Sequence, residues 1–236
     1  MEKGYKNIVY FFVIIAAITF VGFYKKYFSL LPDFPGIRNI HHLHVAALIM
    51  YLTMLIVQPI LIHKNKFELH RIIGKFSYFL VPLMFISMLL VYRNQYLKMV
   101  SEGKPQNECL AFIFAPSTDA IPFLIFYILA ILTKSETAKH MRYIIATGLV
   151  VAGPGYARIF ITWLGMDFFV ALALVTLTTL IAFVSLIIYD RVKKKRFRIN
   201  PYTVALIIWL IPNILIIFFP QTTLWQNFAG WLVRTI

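Results

Sequence analysis

The sequence predicts an all-α bundle of about seven membrane-spanning helices, and three observations predict it. The chain of 236 residues is 61% hydrophobic and only 14% charged, with a mean hydropathy of +0.79, whereas soluble chains are about 45–50% apolar and about 25% charged. Its apolar residues gather into runs near the roughly 20 that a helix needs to cross a bilayer, separated by charged or Gly/Pro-containing breaks. Its basic residues concentrate on alternate connections between those runs. The solvent of such a chain is lipid, and the expected location is the plasma (inner) membrane, multi-pass.

The first run, NIVYFFVIIAAITFVGFY, follows Lys3 and Lys6 and gives a span over 8–24. It lacks the shorter core and small-residue cleavage site of a signal peptide, and the charged, aromatic YKKYF follows it. The second span, 42–62, opens on HHLH, and the third, 73–92, begins beside HRIIGK. The fourth, 109–133, holds Asp119 and the lone cysteine, Cys109. One cysteine excludes an intrachain disulfide framework and any Cys-based metal cage, so it reads as a small apolar residue near a helix end. The fifth, 141–164, follows KHMR and contains Gly153, Pro154 and Gly155, expected to break or kink it and free carbonyls that must find partners in the bundle. The sixth and seventh cover 167–189 and 202–220. After Pro220, Trp225, Phe228, Trp231 and Leu232 recur at helical spacing, giving an interfacial helix over 223–235. No repeat or soluble domain interrupts this order, so 1–236 reads as a single integral membrane domain.

With the N-terminus in the cytoplasm and the C-terminus outside, the inner segments hold 15 of the 23 lysines and arginines and the outer ones seven, Arg158 lying within a span. That is the positive-inside pattern. The net charge of +14 is therefore read as topology and attraction to anionic lipid, with no nucleic acid as partner. The run DRVKKKRFRIN concentrates it. Residues 191–198 are expected at anionic headgroups, each basic side chain worth about 1 kcal/mol there, or as an orientation signal alone.

This topology puts Gln58, His63, His70, Arg71, His140 and Arg142 at one cytoplasmic depth. Arg71 and Arg142 sit near the first turn of their helices, where a cation is unfavourable by roughly 0.3–1 kcal/mol. Either headgroup phosphates satisfy them, or a bound anion does, held by helix N-termini and arginine forks. Haem b would supply carboxylates: His70 and His140 as axial ligands, Arg71 and Arg142 facing the propionates, Gln58 beside them. Taken singly, each histidine is more often an interfacial hydrogen-bonded residue. A non-haem metal on several histidines is an alternative without an evident carboxylate. On the outer side His41 and His44, three apart, either share a metal or are ordinary interfacial groups.

Asp119 and Arg158 are intramembrane charges, each costing at least about 2.5–3.5 kcal/mol at a helix centre. Their depths lead us to expect a pair, either a structural bridge that fixes register or the lining of a substrate cavity.

His44, Gln58 in VQPILI, His70, Arg71 and Gly74 in HRIIGK, His140 and Arg142 in KHMR, and Arg158 form a pattern that resembles a family of bacterial multipass proteins of unknown function. The likeness covers roughly residues 40–160 and implies shared sites without an activity. A more distant likeness to the ascorbate-reducible cytochromes b implies at most one haem, on His70 and His140, because four well-separated intramembrane histidines are lacking. Three readings follow. One is a haem b protein passing electrons to a membrane redox partner or handling haem. Another is a transporter or lipid- or small-molecule-binding protein with a cavity at Asp119 and Arg158. The third is a membrane enzyme on a lipid or isoprenoid substrate. No P-loop, GxGxxG or HExxH is present.

Overall fold

The computed structural model describes residues 7–193 and 197–236. Lys3 and Lys6, and Lys194, Lys195 and Arg196 of the basic run, lie outside the described residues. Among the described residues the chain is helical throughout, with no strand. Nine α-helices follow in order: α1 (Ile8–Tyr24), α2 (Asn39–His63), α3 (Phe67–Ser101), α4 (Gln106–Phe112), α5 (Ser117–Leu132), α6 (Thr137–Arg158), α7 (Phe168–Val192), α8 (Pro201–Leu215) and α9 (Thr223–Thr235). Five helical segments, Asn39–His63, Phe67–Ser101, Gln106–Leu132, Thr137–Trp163 and Phe168–Val192, are long and apolar enough to cross a membrane, and α1 and α8 are shorter apolar helices. The protein is an all-α bundle of the multi-pass membrane type.

The bundle is organised around α6. Ile8, Phe12, Ile15, Thr19 and Gly22 are the buried positions of α1, spaced to form one stripe, and that stripe faces α6. Phe12 and Ile15 lie over Gly148, and the α1 backbone at Gly22 meets the α6 backbone at Gly155. Tyr51 of α2 donates to Thr147 Oγ1 of α6 at 2.6 Å, and its ring stands edge-on to Phe123 of α5. Ser77 of α3 bonds the Tyr127 hydroxyl of α5 at 2.8 Å. Phe126, Phe183 and Trp209 of α5, α7 and α8 complete the interior.

The connections α2–α3, α5–α6 and α7–α8 define a basic end of the bundle. The other end carries a cap. At about 1.5 Å per residue, the 35-residue α3 runs about 52 Å, well beyond a hydrocarbon core of about 30 Å. Its last turns bring Tyr96 and Met99 against Cys109, Leu110, Phe114, Trp225, Ala229 and Val233. Trp225 of α9 donates to the Leu110 carbonyl of α4 at 2.8 Å, and Arg93 Nε donates to the Val233 carbonyl at 3.0 Å. Leu224, Phe228 and Trp231 stay exposed on the outer side of α9.

Three helices differ from the sequence expectation. The third helix extends past both ends of 73–92: it begins in the α2–α3 hairpin, and its last turns continue as helix where the cap packs on them. The fourth segment is interrupted at 113–116, where Pro116 lacks a donor and disfavours helix in the residue before it. The fifth does not break at Gly153-Pro154-Gly155: α6 passes through to Arg158 and the irregularity follows, as a π-helical turn over Ile159–Trp163. Lys25 Nζ meets the Thr162 carbonyl of that turn at 3.4 Å, and Trp163 Nε1 donates to the Val21 carbonyl at 3.1 Å.

Candidate functional site

Polar side chains collect at two levels. At the basic end, Arg142 is fully buried. Its Nε and Nη2 donate to the two oxygens of Asp190 at 2.7 Å each, and Nη1 donates to the Ala138 carbonyl at 2.9 Å. Asn200 Nδ2 donates to Asp190 Oδ2 at 3.0 Å, while Asn200 Oδ1 caps α8 by accepting from the Tyr202 N–H at 2.8 Å. Phe197 and Tyr202 flank the guanidinium. Where an external anion was expected, the counter-ion of Arg142 is the chain's own Asp190, and both side chains are fully buried. Arg71, by contrast, is exposed.

Gln58 and His70 clasp the α2–α3 hairpin. Gln58 Nε2 donates to the His70 carbonyl at 3.3 Å, and Gly74, one turn on, lies beside that amide, where a Cβ would make only ordinary contact at 3.8 Å. The clasp is incomplete: Gln58 Oε1 and His70 Nδ1 are buried without a hydrogen-bond partner. His140 Nδ1 bonds the Ala130 carbonyl at 2.8 Å, and His140 lies within electrostatic reach of His70.

The HHLH histidines disperse. His41 Nδ1 lies 3.3 Å from both the N and O of Arg38, His42 Nδ1 is 2.6 Å from the Tyr27 hydroxyl, and His44 Nδ1 is 3.1 Å from Ser87 Oγ. Burial pushes the Tyr27 phenol above its ordinary range, so it is protonated at neutral pH and donates to His42. Among the described residues no group of three or more His, Cys, Asp or Glu is placed to hold a metal ion.

The second level lies in the half of the bundle beneath the cap. The expected Asp119–Arg158 ion pair is not made. Arg158 sits over the Phe23 ring, 4.2 Å from its centroid, and gives one N–H to the Pro154 carbonyl at a long 3.4 Å. Asp119 Oδ1 accepts from Trp209 Nε1 at 3.4 Å, and its carboxylate fills the place a Cβ on Gly153 would take. Tyr92 lies within electrostatic reach of both charges, as His44 does of Arg158, and His44, Tyr92, Asp119 and Arg158 are all half-buried. A narrow cavity of about 20 Å³ at the cap is lined by Tyr92, Ser117 and Trp225 among others.

Sequence reasoning singled out Asp119, Arg158 and His44 but missed Tyr92 and Trp209, aromatic residues among many, and Gly153 as a seat for a carboxylate. It also missed Asp190, whose signal was an acid closing the sixth apolar run. No family model, curated protein or solved structure matches this chain.

Proposed function

We propose that this multi-pass membrane protein binds a small charged or polar molecule at the level of Asp119 and Arg158, as a transporter or binding protein. One observation carries the reading. An acid and a base share one half of the bundle, neither neutralises the other, and both are only half-buried. Leaving two such charges unpaired in a membrane protein costs several kcal/mol, a cost that a ligand offsets when it binds. Both charges lie in the half of the bundle beneath the cap, and with the N-terminus in the cytoplasm that half faces the outside.

The test is a thermal-shift screen of the purified full chain against charged and polar solutes. Binding raises the melting temperature of the wild type, and Asp119→Asn removes at least tenfold in affinity for the same compound while keeping the elution profile of a folded monodisperse protein. A mutant that binds every hit as the wild type does would end this reading.

A second reading, haem b on His70 and His140, has one observation in its favour. The Nδ1 of His140 is occupied by a backbone carbonyl, the arrangement that orients a ligating imidazole and leaves Nε2 for iron. Arg71, exposed beside His70, is the arginine that would face a propionate. A dithionite-reduced spectrum of protein expressed with added haem decides it: sharp α and β bands lost in His140→Ala support the haem, and a colourless protein removes it.

A further inference from the structure

We propose that the groove between α3 and α5 at the basic end of the bundle is a site for an anionic phospholipid. One acyl chain lies in the groove, and the phosphate sits on Lys134 and the Tyr78 hydroxyl. The site is separate from Asp119 and Arg158, and the inference stands whether or not a solute binds at their level.

The groove follows from how the two helices meet. Ser77 of α3 bonds the Tyr127 hydroxyl of α5 at 2.8 Å, and both side chains are buried. Beside that bond lies a groove of about 210 Å³, lined by Tyr78 of α3 and by Tyr127, Ile128, Ile131 and Leu132 of α5. Its α5 wall is built from two i, i+4 pairs, Tyr127 with Ile131 and Ile128 with Leu132. From Tyr127 to Leu132 the helix rises about 7.5 Å, at 1.5 Å per residue, which accommodates the upper methylenes of an acyl chain. Tyr78, Ile128 and Leu132 are exposed. They belong to segments long and apolar enough to cross a membrane, where exposed surface faces lipid.

Charge at the mouth selects the lipid. Lys134 follows the end of α5 and reaches across to α3. Its Nζ donates to the Tyr78 hydroxyl at 3.4 Å and stands 5.9 Å from the ring centroid. The nearest acid in sequence is engaged elsewhere: the two oxygens of Glu136 lie 2.9 and 2.7 Å from Lys139 Nζ. Among the described residues Lys134 has no acidic partner. Two of its three donors are left, and the Tyr78 hydroxyl, which accepts from Lys134, keeps its own proton to give. Lys75, three residues before Tyr78 and so on the same side of α3, is exposed as well. The unspent groups are cations and donors, the complement of phosphate oxygens. Phosphatidylcholine brings the same phosphate but adds a quaternary ammonium beside two lysines. A headgroup of net negative charge does not.

The experiment places the full chain in nanodiscs with a trace of diazirine-tagged phosphatidylglycerol or its phosphatidylcholine counterpart, and maps the photo-labelled peptides. Phosphatidylglycerol is expected to label the peptides carrying Tyr78 and residues 127–132 about tenfold or more over phosphatidylcholine, as two basic side chains at headgroup level allow. Lys134→Gln should cut that labelling about fivefold. Lys64→Gln, the same charge change in the exposed α2–α3 connection, should alter it little. Ile128→Trp, placed at an exposed position so that the fold is kept, should fill the groove and lower labelling by either lipid. Equal labelling by the two lipids overturns the proposal, as does an equal effect of Lys134→Gln and Lys64→Gln. Labelling untouched by Ile128→Trp shows that no chain occupies the groove. Competition by glycerol phosphate, which has no acyl chain, would make this a free-anion site and overturn the lipid.

Discussion

Asp190→Ala is expected to destabilise the protein by about 3–5 kcal/mol, the range for removing one partner of a buried ion pair. Arg142 and Asp190 are both fully buried, and their bidentate geometry leaves the guanidinium no water to turn to when the carboxylate is lost. The damage spreads across three helices, because Asp190 of α7 holds Arg142 of α6 and also Asn200, which caps α8. A cap is itself worth about 1 kcal/mol. Melting of the detergent-solubilised protein, followed by intrinsic fluorescence, reads the loss. Replacing both partners with apolar residues, Arg142→Met with Asp190→Leu, should recover most of the stability lost by Asp190→Ala, since an apolar pair of similar volume is often neutral or better. An exposed, dispensable contact would instead give less than about 1 kcal/mol for either single change. The double variant also separates structure from function: ligand binding at the level of Asp119 and Arg158 should stay near wild type when the far end of the bundle is repacked.

The sequence made the fold class legible because lipid demands long apolar helices, and long apolar runs are the most direct of sequence signals. Pairing is another matter. Which acid answers which base depends on how helices rotate about their axes, and periodicity says little of that when every face is apolar. Asp119 and Arg158 were matched by depth, yet Asp119 meets Trp209 and Gly153 while Arg158 meets Phe23 and the Pro154 carbonyl. Arg142 was matched to an outside anion because Asp190, some fifty residues on, closes a different run. The motif around His70 was legible as a convergence of Gln58, His70 and Gly74, and the structure supplies its plain meaning as a hairpin clasp. What the outer histidines do was not legible, since each of the three in HHLH points to a different helix or loop.

Glycine gives the clearest case of a feature seen but assigned the wrong task, and it yields the second large effect. Gly155 was expected to help break the helix. It instead forms, with Gly22, a contact between α1 and α6 in which backbones touch, the kind of close approach that small residues allow between membrane helices. A Cβ added at Gly22 would collide with the Gly155 backbone, and one at Gly155 would meet Thr19 Cα at 2.9 Å. Neither backbone can swing aside as a side chain can. At Gly148 the atoms met are the Phe12 ring at 3.0 Å and the Ile15 terminus at 3.2 Å, and those can shift. A graded series follows. Gly148→Ala should cost under about 1 kcal/mol, whereas Gly22→Ala and Gly155→Ala should each cost about 1–3 kcal/mol or more as overpacking that forces the helices apart. The same two variants should weaken ligand binding at Arg158. Moving the end of α1 withdraws Phe23, the residue after Gly22, from the Arg158 guanidinium it holds. Equal melting losses across the three alanines, with ligand affinity unchanged, would mean that α1 is not the wall that positions Arg158.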